Sequence, residues 1–177
     1  AAAILRSPHT IELYDFGMTD DGGFYYVMEF LDGMSLQDLV ERHGPLPAER
    51  AVNLMIQVCD SLAEAHARGL IHRDVKPSNL FTSRVGLTVD FIKVLDFGLV
   101  KAERQTLGGD SMLTAPHAAT GTPAFMAPEV ALGEPTVDAR VDVYALGCVL
   151  YWLLTGRWVF DAESPLNRHV VAALLRF

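Results

Sequence analysis

The side chains with the clearest chemical potential are concentrated between positions 72 and 98. Asp74, Lys76 and Asn79 stand at spacings of two and five residues, and Asp96 follows Asp74 by 22 residues, directly behind a short apolar run. Strand alternation would put the fifth position on the opposite face from the other two, so these three side chains can converge only on a loop. Phosphoryl transfer needs a carboxylate that orients a hydroxyl, a cation, and oxygen ligands for Mg²⁺.

The motifs around these residues match a known set. Residues 72–79 read H-R-D-V-K-P-S-N and residues 96–98 read D-F-G, which are the catalytic-loop and metal-binding signatures of protein kinases. Three further segments are similar to parts of the same enzymes, namely the hinge (27–31), the end of the activation segment (121–129) and the start of a buried helix (142–147). In this order, the motifs resemble those of the Hanks-type bacterial serine/threonine protein kinases over about residues 10–156.

The resemblance implies a role for each matching side chain. Asp74 would be the catalytic base that takes or orients the substrate hydroxyl, and Lys76 would neutralise the γ-phosphoryl group of ATP. A lysine two residues after the catalytic aspartate resembles the pattern of serine/threonine kinases and differs from that of tyrosine kinases. Asn79 and Asp96 would hold Mg²⁺, for which Mn²⁺ can substitute.

The resemblance also implies contacts around this centre. Met28 would be the gatekeeper of the ATP site, and backbone groups of Glu29 and Leu31 would contact adenine. Asp142 would tie the buried helix to the backbone of the catalytic loop. Glu129, which closes the activation segment, would have a structural role.

A loop of low periodicity at residues 103–124 is long enough to be functional. Arg73 is a loop cation that needs an anion, and a phosphate on this loop would supply one. Thr114 and Thr120 are the candidate sites of such phosphorylation, which includes self-phosphorylation. By the resemblance, Thr122 would hydrogen-bond near Asp74 and Lys76.

The implied fold is α+β, the two-lobed architecture of protein kinases with a partial N-lobe. Residues 1–31 would be the remnant of the N-lobe and hinge, with two strands, and residues 32–177 a truncated, mainly helical C-lobe. Periodicity and turn residues predict the elements. They are strands near 11–16 and 24–30, a helix between Ser35 and Gly44, a helix from Pro47 to Gly69, strands near 80–82 and 89–95, a helix over 140–155, and a further helix starting near 164.

Two finer expectations concern packing. The long helix is predicted to bury an apolar stripe, which consists of Val52, Met55, Ile56, Cys59, Leu62, Ala63 and His66. His72 is predicted to be a packed core histidine, Lys93 and Lys101 to be solvated, and the helix over 140–155, which is apolar almost all round, to be buried. A second D-F-G tripeptide at residues 15–17 has no catalytic loop upstream and is predicted to be a strand end.

Composition excludes several function classes. The formal net charge is −8, from 14 basic and 22 acidic residues, and the chain has only three lysines, so a nucleic-acid partner is not expected. No apolar run reaches the ~20 residues of a membrane span. Two cysteines in apolar runs indicate reduced core thiols and a cytoplasmic protein. The resemblance allows the full-length protein to be membrane-anchored.

Two features of the family pattern have no counterpart in these 177 residues. No G-x-G-x-x-G motif occurs, and no lysine precedes Lys76. A chain without these phosphate-binding groups is expected to be weakly active or inactive in isolation, although the family that it resembles consists of active protein kinases that act on serine and threonine of protein substrates. The alternative is a non-catalytic, pseudokinase-like module that binds partner proteins.

Overall fold

The computed structural model describes residues 5–97, 123–134 and 136–159. The strands are β1 (Leu13–Met18), β2 (Phe24–Met28), β3 (Gly33–Ser35), β4 (Leu80–Val85) and β5 (Thr88–Val94). The helices are α1 (Leu36–His43), α2 (Ala48–Ala67), α3 (Pro128–Ala131) and α4 (Arg140–Thr155), with 3-10 turns at Pro77–Asn79 and Pro123–Phe125. Most of the predicted 103–124 loop and the predicted helix near 164 lie outside the described residues.

The first two strands form the predicted antiparallel hairpin. Phe16 pairs with Tyr26 in the middle of the ladder. The turn is closed by Thr19, whose backbone N–H donates to the Gly23 carbonyl at 2.8 Å, and Gly22 adopts the positive φ of 84° that favours glycine there. The second D-F-G tripeptide lies inside β1, one residue before its end.

The predicted caps of α1 are confirmed. The Ser35 hydroxyl accepts a hydrogen bond from the Asp38 backbone N–H at 3.0 Å, which satisfies one of the free donors at the helix start. At the other end, Gly44 donates its N–H to the Val40 carbonyl. The short strand β3 before this helix is not predicted from the sequence, because a strand of three residues exists only through its pairing with β4.

The predicted apolar stripe of α2 is partly wrong. The buried positions are Ala51, Leu54, Met55, Val58, Ser61, Leu62 and Ala65. Val52 and Ile56 are 46% and 61% exposed, and Cys59 is exposed as well. Apolar residues occur on more than one face of this helix, so helical periodicity fits two orientations, and packing against β5 and α4 selects one of them.

Strands β3, β4 and β5 form an antiparallel sheet in that order, so the two strands predicted near 80–82 and 89–95 pair with each other. The segment before β1 extends this sheet, since Thr10 makes a parallel bridge to Val94 at the end of β5. The edge of β5 is also covered by Gln57 of α2, whose side chain accepts from the Ile92 N–H and donates to the Asp90 carbonyl, both at 2.9 Å. The strand that leads to Asp96 is therefore held from two sides.

Helix α4 begins and ends where the sequence predicts, at Arg140 and Thr155. Gly156 follows in the left-handed conformation with φ 68°. One face, including Asp142, Val149 and Leu153, is buried. The prediction of burial all round is wrong for the opposite face, because Val143 is 61% exposed in the described part of the chain. None of the described helices combines the length and the apolar composition that crossing a membrane requires.

Candidate active site

The loop between α2 and β4 brings three predicted site residues together. Lys76 Nζ lies 2.7 Å from Asp74 Oδ2, and Asn79 Nδ2 donates to the same carboxylate oxygen at 3.0 Å. Asn79 Nδ2 also donates to the Asp74 backbone carbonyl at 2.9 Å, which closes the loop on itself. Asp74 and Lys76 keep 28% and 21% of their side-chain surface exposed, so the carboxylate is oriented by two donors and still accessible to a solute.

Asp96 reaches the same cluster through its neighbour in the chain. The Leu95 N–H donates to the Asn79 carbonyl at 2.9 Å, and Leu80 pairs with Val94 just before it. Asp96 itself is exposed and has a φ of 60°. A non-glycine residue in this left-handed region costs about 1–3 kcal/mol, and such strain is concentrated at functional sites.

His72 joins the loop to the segment around Asp96. It is 3% exposed, as predicted, and its Nε2 lies 2.7 Å from the Leu95 carbonyl while the Asp74 N–H donates to Nδ1 at 3.3 Å. Burial lowers the pKa of His72, outweighing the Leu95 carbonyl and the carboxylates around it. The neutral ring with hydrogen on Nε2 satisfies both contacts. Its face packs against Phe97 with ring centroids 4.7 Å apart.

Asp142 of α4 binds the backbone at the start of the loop between α2 and β4. Its carboxylate is 1% exposed and accepts from the backbone N–H groups of His72 and Arg73, both at 2.8 Å. His66 Nε2 lies 2.7 Å from the same group. These contacts hold Arg73 in its positive φ of 68°. Asp142 is not the N-cap of α4, which is Ala139.

His66 is a site residue that sequence reasoning missed. The sequence predicts it only as part of the apolar stripe of α2, and no motif in the sequence indicates its pairing with Asp142, which lies 76 residues away.

The Arg73 side chain is exposed and forms no ion pair within the described residues.

The hinge-like segment, residues 27–31, begins in the last two residues of β2. Met28 is 40% exposed, and Leu31 is half-buried. The Glu29 N–H donates to the Glu12 carbonyl at 3.1 Å, and the Glu29 carboxylate lies 2.6 Å from Lys93 Nζ. The prediction that Lys93 is solvated is wrong, because its side chain is only 12% exposed. The partner that permits this burial comes from a distant part of the chain, which no local pattern reveals.

The remaining predicted site residues are three threonines and Glu129. Thr114, Thr120 and Thr122 lie outside the described residues. Glu129 is half-buried in α3 and lines a cleft of about 460 Å³. The other residues of that cleft are Glu134, Thr136, Val137, Asp138 and Arg140, so it does not include the Asp74 cluster.

The donor set fits Mg²⁺, which takes oxygen ligands from carboxylates and few other protein groups. Asn79 uses only its amide nitrogen within the described residues, which leaves its carbonyl oxygen for a metal ion. Asp96 contributes an exposed carboxylate on the adjoining segment. This arrangement of a held carboxylate, an ammonium group and two oxygen ligands has the composition that phosphoryl transfer requires.

Comparisons with known proteins point in the same direction. A protein-family model described as protein kinase domain matches residues 2–175. The serine/threonine-protein kinase PknB of Mycolicibacterium smegmatis is 44% identical over 167 residues, which are 93% of this chain and 25% of that protein. The serine/threonine-protein kinase pkn3 of Myxococcus xanthus is 40% identical over 167 residues, which are 94% of this chain and 30% of that protein.

A solved structure shares the fold. The crystal structure of Rad53 residues 1–466 in complex with AMP-PNP aligns with a TM-score of 0.76 at 27% identity, and covers 97% of this chain and 40% of that one. The chain thus spans less than a third of the length of the two curated relatives.

Proposed function

The chain belongs to the serine/threonine protein kinases, a family of transferases, and from this premise we propose that it supplies the catalytic centre for ATP-dependent phosphorylation of serine and threonine in proteins. The predicted α+β kinase fold is confirmed in partial form, with few strands and several helices. In this proposal the N-lobe ends after Leu31, at the end of the hinge-like segment, and the C-lobe follows it.

The observation that carries the proposal is the convergence on Asp74. Lys76 and Asn79 hold its carboxylate from two sides, and Leu95 connects the same loop to Asp96. In the proposed reaction, Asp74 orients the substrate hydroxyl and accepts its proton, and Lys76 stabilises charge on the transferred phosphoryl group. Asp142 keeps the loop in this shape through its two backbone hydrogen bonds.

Asn79 and Asp96 would hold Mg²⁺, or Mn²⁺ in its place. The ion, when bound with ATP, neutralises negative charge on the phosphate oxygens. The protein contributes the orientation of the ligands: Asn79 is fixed through its amide nitrogen, and Asp96 is fixed through the hydrogen bonds of Leu95.

The adenine base would bind at the segment after β2. Within the described residues, the Glu29 carbonyl and the Leu31 N–H make no hydrogen bond, so both are available to a base. Met28 ends the strand beside them, as a gatekeeper would. These two backbone groups offer one acceptor and one donor, which matches the edge of adenine.

Regulation would act through Arg73 and the segment between residues 98 and 122. The guanidinium group of Arg73 is exposed beside Asp74 and available to an anion. Phosphate on Thr114 or Thr120, placed there by the kinase itself or by another, would bring charge of about −1.5 to −2 to this cation. Thr122 would hydrogen-bond near Asp74 and Lys76.

The partners would be proteins that present serine or threonine, with no nucleic acid among them. A cytoplasmic location of this part of the protein is supported by its two cysteines, Cys59 and Cys148, which are both free thiols.

The test is phosphate transfer by protein expressed from the complete coding sequence that contains this chain. Labelled ATP and a general acceptor such as myelin basic protein measure the reaction. Asp74→Asn is expected to lower kcat by about 10²–10⁴-fold, because it removes the proton acceptor while preserving size and hydrogen bonding. Asp38→Asn, in the first turn of α1 and with a side chain that is 47% exposed, is the matched control and is expected to leave kcat unchanged.

Two outcomes would contradict the proposal. Full activity of Asp74→Asn would remove Asp74 from the reaction. A wild-type protein that binds no Mg·ATP and transfers no phosphate, while folding normally, would favour the non-catalytic protein-binding module, for which the absence of a G-x-G-x-x-G motif from these residues is the motivating observation.

A further inference from the structure

A largely buried ion pair connects the hinge-like segment to the strand that leads into Asp96. Lys93 is the last residue but one of β5, three positions before Asp96, and its side chain is 12% exposed. Its Nζ lies 2.6 Å from Oε1 of Glu29, which is 20% exposed and follows β2 directly. The pair therefore spans the two elements to which the proposed function assigns the adenine base and the metal ion.

Hydrogen bonds extend the pair into a junction of three chain segments. Glu29 Oε1 also accepts from the Glu12 backbone N–H at 2.8 Å, just before β1. Lys93 Nζ lies 3.4 Å from the Thr10 carbonyl oxygen, and Thr10 in turn bridges to Val94. The hinge, the entry to β1 and the end of β5 are thus held by one carboxylate and one ammonium group.

The burial of Lys93 and Glu29 determines how unfavourable it is to break the ion pair between them. An exposed ion pair contributes little to structure, whereas a mostly buried charge that loses its partner is strongly unfavourable. Lys93 is held to its own strand, and its Nζ lies 5.9 Å from the centre of the Phe91 ring. Glu29 lies just beyond the end of β2, so the segment that would move on loss of the pair is the one that carries Glu29 and Leu31.

We propose that Lys93 is a positioning residue, which acts through Glu29 to fix the hinge-like segment relative to Asp96. The inference rests on the proposed function, because it requires ATP to be held at both ends. A nucleotide that bridges two preset contact points binds without having to order them first. When the pair is broken, that ordering must accompany binding, and the affinity for Mg·ATP falls.

The experiment compares wild type, Lys93→Met and Lys93→Arg, expressed from the complete coding sequence. Lys93→Met is expected to raise the KM for ATP about tenfold, with kcat changed less than about threefold, because uniform binding of the nucleotide is lost. The KM for the protein substrate is expected to stay unchanged. Lys93→Arg keeps the charge and is expected to remain within about twofold of wild type for all three constants.

A second readout separates positioning from general damage. Nucleotide affinity is measured with Mg²⁺ and with EDTA. The inferred role of Lys93 is to hold the base-binding segment in a fixed position relative to the metal-binding Asp96. Lys93→Met is therefore expected to lower the nucleotide affinity about tenfold with Mg²⁺ and less than about twofold without it. Equal losses in both conditions would mean that Lys93 acts only on one end, and would overturn the proposal.

The matched control is Arg50→Met. Arg50 pairs with Asp90 on the same strand at 2.8 Å, but it reaches β5 from α2 and not from the hinge. This variant is expected to lower the unfolding midpoint and leave the KM for ATP unchanged. If Lys93→Met does not fold, the double variant Glu29→Gln with Lys93→Met removes both charges and keeps an acceptor for the Glu12 N–H. It is expected to fold and to show the same rise in KM.

Two results would overturn the positioning role. One is an unchanged KM for ATP in whichever of the Lys93→Met variants folds, and the other is an equal rise in Arg50→Met. If the variants give either result while the wild-type protein transfers phosphate normally, only this inference is contradicted and the proposed function stands. A wild-type protein that neither binds Mg·ATP nor transfers phosphate would overturn the proposed function, and the positioning role with it.

Discussion

The tripeptide Asp-Phe-Gly occurs in two regions of this molecule with opposite surroundings. Asp15 and Phe16 lie in the exposed hairpin, where Phe16 is 62% exposed and the Asp15 carboxylate accepts, among the described residues, only from the Phe16 N–H. Asp96 follows a residue that is hydrogen-bonded to both His72 and Asn79, and Phe97 is 3% exposed. The comparison teaches that the tripeptide carries no chemistry by itself, and that its attachment to the buried core does.

The largest difference between the two Asp-Phe-Gly tripeptides is expected in how much each phenylalanine contributes to the free energy of unfolding. Phe97→Ala removes a buried ring that packs on His72, and is expected to lower the free energy of unfolding by about 3–5 kcal/mol. Phe16→Ala changes an exposed side chain and is expected to stay within about 0.5 kcal/mol of wild type. Urea unfolding of both variants measures this. Equal losses would show that the hairpin ring is as well packed as the core ring.

The next difference is expected in activity. Asp96→Asn weakens a proposed metal ligand and is expected to lower kcat/KM by roughly 10²–10³-fold, as loss of one preorganised electrostatic contact does in other enzymes. Asp15→Asn makes the identical chemical change in β1 and is expected to leave kcat/KM within about twofold. Phosphate transfer by the two purified variants measures the contrast. Comparable losses in both would remove the distinction between the two tripeptides.

The smallest effect is expected from pH, and it isolates the connection through His72. Burial lowers the pKa of His72 in the folded protein, whereas the unfolded chain has the ordinary value of about 6.5. Below pH 6.5 the unfolded state therefore binds more protons than the folded state, so this contribution to stability is full above that pH and falls as the pH falls. One proton gives a slope of at most about 1.4 kcal/mol per pH unit.

The measurement is the urea unfolding free energy between pH 7.5 and 5 for wild type and His72→Gln. The wild-type protein is expected to lose stability more steeply with falling pH than the variant, which has no group to titrate at this position. Parallel curves would show that His72 takes up a proton without cost, and that its contacts to Leu95 and Asp74 do not require the neutral ring.

Much of the fold is predictable because its signals are local. The β1–β2 turn needs glycine and hydrogen-bonding side chains next to one another in sequence, and the caps of α1 at Ser35 and Gly44 act within four residues. The same holds for the end of α4 at Gly156. The convergence of Asp74, Lys76 and Asn79 was likewise accessible, since five residues on one loop cannot be far apart. The roles of these residues remain predictions until the variants are measured.

The features of the fold and the site that the sequence did not predict depend on contacts between distant parts of the chain. The sequence alone determined the motif order, the family resemblance, and the start and end of α1 and α4, because each is encoded by neighbouring residues. Only the tertiary structure decided which face of α2 is buried, that His66 joins Asp142, and that Lys93 is paired with Glu29 across 64 residues. The physical reason is that burial and ion pairing are properties of the packed surroundings, which residue type and spacing do not specify.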